Sequence, residues 1–121
     1  MLRFEQLQVW QSAVEFANQV YRVTTKFPND ERFGLTSQMR RASVSISSNI
    51  AEGSSRASRN DFARFVEIGY GSLMEVISES HIAKRQAMLN ATDFQDSYAH
   101  AEEIARMLSG LRSSLLADSS R

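Results

Sequence analysis

Apolar residues recur at steps of three and four along almost the whole chain, and only one Pro and five Gly interrupt them. That spacing gathers them on one face of helix after helix, whereas a strand-rich fold needs period-two alternation and far more turn punctuation. The chain therefore reads as all-α. The first helix is expected from Leu7 to Lys26, with Leu7, Trp10, Val14, Ala17, Tyr21 and Thr24 as its inward stripe and Phe27-Pro28 as its stop. Asn29 to Gly34 reads as a turn. A second helix then carries Leu35, Met39, Ala42, Ser43, Ile46 and Ile50 on one face and is expected to stop at Gly53.

Ser58, with Asp61 three residues on, predicts the N-cap of a third helix. Its stripe of Phe62, Phe65, Val66, Gly69, Leu73, Val76, Ser80, Ala83 and Ala87 predicts a rod of roughly 45 Å at 1.5 Å per residue. Thr92 and Gln95 have the spacing of another capping box, and Phe94, Tyr98, Ala101, Ile104, Leu108, Leu111 and Leu115 form the fourth stripe. The tail from Ala117 to Arg121 is expected to fray. Four amphipathic helices joined by short breaks bury their stripes most simply as an up-down-up-down four-helix bundle. At 121 residues the chain fits one such domain, 1–121, with no linker or repeat.

Composition narrows the function. Without cysteine there is no disulfide framework, thiol nucleophile or thiolate metal site, and the cytoplasm is the expected compartment. The N-terminal residues lack the apolar run of a signal peptide, and no stretch approaches the roughly 20 apolar residues of a membrane span. Fourteen basic residues balance fourteen acidic ones, which disfavours a uniformly basic nucleic-acid binder. Twelve of the fourteen basic residues are nonetheless Arg, the planar donor suited to phosphate and carboxylate.

Enzyme signatures are sparse. Neither His81 nor His100 follows an acid by three residues, as a di-iron bundle requires, and His100 with Glu103 has the reverse order. Gly69-Tyr70-Gly71-Ser72 has no preceding strand, so it is not a phosphate loop, and its glycines are expected to permit close helix packing. No catalytic residue, cofactor or metal is expected.

Two polar groups remain. Gln38, Arg41, Ser45, Asn49 and Glu52 share a strip of the second helix beside its apolar stripe, and Ser72, Glu75 and Glu79 share the matching flank of the third. Antiparallel packing would set Arg41 or Asn49 against Glu75. Such a structural network of Arg41, Asn49, Glu52 and Glu75 would fix helix register, the reading preferred here over a ligand site. The other group is a basic corner of Arg40, Arg56, Arg59 and Arg64, with Ser58 opening a helix beside it. It suits phosphate, and an ordinary solvated loop is the equal alternative.

The run Gly34-Leu35-Thr36-Ser37-Gln38-Met39-Arg40-Arg41-Ala42-Ser43-Val44-Ser45-Ile46, continuing through Ser48-Asn49-Ile50-Ala51-Glu52-Gly53, resembles the signature of the bacterial "four helix bundle protein" family. Its members include proteins encoded in intervening sequences of large-subunit ribosomal RNA genes and the accessory variability determinant of diversity-generating retroelements. Trp10, Phe27-Pro28 with Glu31, and Gly71-Ser72-Leu73-Met74-Glu75 are similar too, so the resemblance covers most of the chain. It implies a ring-like homopentamer, with nucleic-acid binding in the retroelement branch and no established catalysis. The retroelement proteins are strongly basic and this chain is neutral. The motif residues carried over are Arg40, Arg41, Asn49, Glu52, Gly53 and Glu75. The expected function is a non-enzymatic, self-associating bundle with RNA or DNA as partner, the alternative being a protein-interaction scaffold. Val9, Tyr70, Met74 and Leu116 lie outside the main stripes and are the candidate subunit contacts.

Overall fold

The computed structural model describes residues 1–117, so the tail beyond Ala117 lies outside the described residues. Four α-helices follow one another: α1 (Gln8–Thr24), α2 (Leu35–Ser54), α3 (Arg59–Arg85) and α4 (Ala91–Ala117). Short 3-10 turns at Arg3–Gln6 and Asn29–Glu31 precede α1 and α2. Each helix packs against its chain neighbours and α1 also closes against α4, which gives the up-down-up-down bundle. No strand occurs among the described residues.

The core is continuous from Val9 to Leu115 and runs through Phe16, Met39, Ile46, Ile50, Leu73, Ile104 and Leu108, all nearly solvent-free. The stripes of α2, α3 and α4 lie inward almost as the spacing predicts. In α1 the buried set is Val9, Ala13, Phe16, Ala17, Val20, Val23 and Thr24. Tyr21, expected inward, is exposed, and Val9, expected outside, is buried. Two parallel apolar strips compete on α1. Packing against both α2 and α4 favours the one that carries Phe16 and three valines.

The helix ends show local chemistry. Ser58 Oγ accepts from the Asp61 N–H at 3.0 Å, the predicted cap. At α4 the cap is Asn90, whose Oδ1 accepts from Asp93 N at 2.8 Å; Thr92 and Gln95 lie inside the helix. α1 ends at Thr24, two residues short of Lys26, and buried Phe27 then folds back onto the core. Ala87, expected inward, lies past the end of α3 with φ of 62° and is exposed. Its N–H bonds Lys84 O at 3.0 Å and Met88 N–H bonds Ala83 O at 2.9 Å, the paired closure of a Schellman turn.

Gly53 does not stop α2, which continues through Ser54. A Cβ there would lie 2.7 Å from Phe65 Cβ and 2.9 Å from Phe62 Cδ1, so glycine lets α3 approach α2. A Cβ on Gly69 would meet Ile46 O and Asn49 Cβ at ordinary contact distance, whereas one on Gly71 would face open space, so Gly71 serves no packing. Gly53→Ala is thus expected to destabilise the protein by about 1–3 kcal/mol through overpacking. Gly71→Ala is expected to stabilise it by about 0.5–1 kcal/mol through helix propensity. Chemical denaturation of the two variants checks both signs.

Candidate nucleic-acid interface

Of the four arginines of the expected basic corner, Arg56, Arg59 and Arg64 share one end of the bundle and Arg40 lies apart from them. About 21 Å of helix separates Arg40 from Ser54, the last residue of α2, at 1.5 Å per residue. Past that end, Arg56 pairs with Glu52 at 3.0 Å and lies 4.7 Å from the centre of the Phe65 ring. Arg64 approaches Asp61 at 3.9 Å and covers the same ring at 5.2 Å. Arg59 donates to Ser114 O and Leu115 O at 3.1 and 3.4 Å, satisfying last-turn carbonyls of α4. Arg3, which the sequence reading passed over, joins this end by donating to Ser54 O at 3.4 Å and lying over Phe62. The arginines here close the end of the bundle, and Arg56 and Arg64 are met by carboxylates among the described residues.

At the opposite end, Arg40 belongs to a different group. Its Nε donates to Thr24 Oγ1 at 2.9 Å and its guanidinium lies 4.7 Å from the centre of the Tyr21 ring. The Thr24 hydroxyl in turn donates to Val20 O at 2.7 Å, so this contact is held from both sides. Arg32 covers the ring of Phe33 at 5.4 Å. Arg41 completes a groove of about 310 Å³ lined by Tyr21, Arg32, Phe33, Thr36, Ser37 and Arg40. None of the three arginines has a carboxylate partner among the described residues. The nearby Glu31 carboxylate is engaged at the N-terminus of α2, where it accepts from Leu35 N at 3.1 Å.

Two exposed aromatic rings stand among these cations. Phe33 is 89% exposed and Tyr21 44%. The signal was present in the sequence as the Arg32-Phe33 pair, but the surrounding turn composition concealed it, and Tyr21 was assigned to the core.

The polar strip facing α3 forms a second feature. Gln38, Arg41, Ser45, Ser72, Glu75 and Glu79 line one cleft of about 500 Å³. Ser45 and Ser72 hydroxyls share a hydrogen bond at 2.9 Å, and Asn49 Nδ2 donates to Ser45 O and Oγ at 2.8 and 3.0 Å. The brace between α2 and α3 is therefore Asn49–Ser45–Ser72. Arg41 and Glu75 share the cleft without a hydrogen bond or ion pair among the described residues, and Glu52 is taken by Arg56. The expected four-residue network is not formed, because the serines occupy the point of closest approach and the longer side chains splay outward.

Glu79 Oε1 is buried without a hydrogen-bond partner among the described residues. Burial, and then the neighbouring Glu75 carboxylate, raise its pKa above the ordinary value. A raised folded-state pKa means a contribution that is complete below the ordinary carboxylate range and lost as pH rises through the raised value. Glu79→Gln is accordingly expected to raise the melting temperature at neutral pH and leave it unchanged in acid. A variant that melts lower at neutral pH would show that the charged form is partnered.

His100 joins α1 to α4. Nδ1–H faces Gln19 Oε1, an acceptor, at 3.0 Å, which leaves Nε2 to accept from the Ser12 hydroxyl at 3.2 Å. Both ring nitrogens are engaged in these contacts. No group of three or more His, Cys, Asp or Glu is placed to hold a metal among the described residues. No helix among them is long and apolar enough to cross a membrane.

Against this geometry, the family model described as "23S rRNA-intervening sequence protein" matches residues 5–110. The chain belongs to that family. The match spans all of α1, α2 and α3 and most of α4, so it takes in both the arginine groove and the polar cleft. No curated protein matches the chain. A solved structure, described as a protein of unknown function from the S23 ribosomal protein family of Bacteroides thetaiotaomicron, is similar with a TM-score of 0.80 and 22% identity. The similarity covers 86% of this chain and 97% of that one, and at this identity it shows a shared fold.

Proposed function

We propose that the protein is a non-enzymatic, self-associating bundle that binds RNA or DNA through the groove between α1 and α2. The observation that carries this reading is the cluster of Arg32, Arg40 and Arg41, free of carboxylate partners among the described residues and set beside exposed Tyr21 and Phe33. Three arginines without a carboxylate partner among the described residues raise the local potential of the groove, and guanidinium forks match phosphate geometry. The chain as a whole is neutral, so one groove makes few phosphate contacts. Self-association repeats it, and linked copies convert weak contacts into avid binding.

Self-association is supported by exposed apolar side chains along α3: Ile68, Tyr70, Met74 and Ile82. Tyr70 and Met74 agree with the expected contact set, whereas Val9 belongs to the core and Leu116 is half-buried. The homopentamer and the cytoplasmic setting are part of this proposal. The cleft with the unpartnered Glu79 oxygen favours a second reading, in which a protein partner docks on the α2–α3 face without nucleic acid.

Electrostatic binding predicts that log K falls linearly with log salt, by close to one unit of slope per phosphate contact. The double variant Arg32→Gln/Arg41→Gln is expected to lower that slope by about 1.4 to 1.8 per copy, as two phosphate contacts are lost. Arg56→Gln/Arg64→Gln is expected to leave it unchanged. Titration of labelled RNA at several salt concentrations measures both. The opposite ranking would return the site to the α2–α3 loop, and no binding by the unaltered protein would leave the scaffold reading.

A further inference from the structure

We infer that the groove between α1 and α2 selects single-stranded over duplex nucleic acid, an unpaired base stacking on Phe33 while Arg32, Arg40 and Arg41 hold the flanking phosphates. The inference rests on the nucleic-acid reading above and adds the substrate class. Phe33 lies in the turn before α2 with 89% of its surface exposed, and it is not among the residues packed on the core. Burial of an aromatic ring is favourable, so a ring held outside the fold forgoes stability that the bundle could have used. Arg32 lies over this ring at 5.4 Å, which leaves the opposite face as the one open to a flat partner.

The second aromatic is arranged differently. Tyr21 carries the Arg40 guanidinium at 4.7 Å, and Thr24 Oγ1 accepts from Arg40 Nε, so this cation is fixed in direction before any ligand arrives. Arg40 Nη2 approaches Tyr21 O and Thr25 Oγ1 only at 3.5 Å, a marginal contact that a phosphate oxygen can replace. Arg41, on the next position of α2, shares the groove without a partner among the described residues. The site therefore combines one open ring face with three donors along a groove.

Duplexes cannot use that combination. Their base faces are stacked on one another, and only edges, sugars and phosphates are presented to a protein. An exposed Phe face gains its full contact only from a base that has left the stack, which is how sequence-tolerant single-strand binders work. An arginine groove alone would serve either form; the exposed ring distinguishes them.

The test is fluorescence anisotropy with the full chain and labelled strands of roughly 12 nucleotides, within the site size of one small binding domain. The same sequence is offered single-stranded and as a duplex, at low salt. The unaltered protein is expected to prefer the single strand, and Phe33→Ala to weaken that binding about 5- to 150-fold, the range that loss of one base stack gives. Duplex binding is expected to stay unchanged in the variant, and Phe33→Trp to retain the preference. Phe33 lies outside the core, so Phe33→Ala is expected to fold, and an unchanged melting temperature verifies it. Equal affinity for both forms, with Phe33→Ala altering neither, overturns the stacking inference and leaves the arginine groove standing. No binding of either form overturns the nucleic-acid reading and this inference together.

Discussion

The close approach of α2 and α3 organises the molecule. Gly53 under Phe62 and Phe65 and the Ser45–Ser72 hydroxyl contact bring the two helices together. Small residues at a helix contact reduce the interaxial distance and let dispersion contacts accumulate. The same packing decides where the polar residues go. On the α3 side of α2 the side chains of Arg41, Glu75 and Glu79 line a cleft, and Glu79 Oε1 is buried there without a hydrogen-bond partner among the described residues. On the α1 side, Arg40 is brought onto Tyr21 and Thr24. Both candidate interfaces are therefore consequences of how α2 is seated.

The neutral net charge conceals an asymmetric distribution. Around the α2–α3 loop, arginines are spent on the fold: Arg56 and Arg64 meet carboxylates, and Arg59 satisfies carbonyls at the end of α4. Around the turn before α2, Arg32 and Arg41 have no carboxylate partner among the described residues, Arg32 lying over the Phe33 ring, and Arg40 is held by a threonine and a tyrosine ring. Charge that stabilises nothing internally is available for a partner. That contrast between equal residues at the two ends of one helix supports the nucleic-acid reading more than the number of arginines does.

Much of this architecture was legible in the sequence, because α2, α3 and α4 each carry a single dominant stripe and period alone fixes their inward faces. α1 carries two adjacent stripes, and only its neighbours decide between them; hence Tyr21 and Val9 exchanged roles. Gly53 was read as a stop because glycine commonly ends helices, whereas here it answers a contact with residues nine and twelve positions further on, which no local signal reveals. Ala87 closes α3 in a conformation usually given to glycine, so its identity hid the helix end. The arginine corner failed for a related reason. Proximity in sequence grouped Arg40 with Arg56, Arg59 and Arg64, while the length of α2 sets Arg40 apart from the other three, and Arg32 with Phe33 lay unnoticed inside a segment read only as a turn.

The claim that copies of this bundle assemble and hold nucleic acid together is tested most directly by light scattering coupled to size-exclusion chromatography, recording absorbance at 260 and 280 nm. The account predicts a particle whose mass is a multiple of the 13.7 kDa chain, with nucleic acid present at low salt and lost at moderate salt while the assembly persists. A monomer with a pure protein spectrum at both salt concentrations would contradict it.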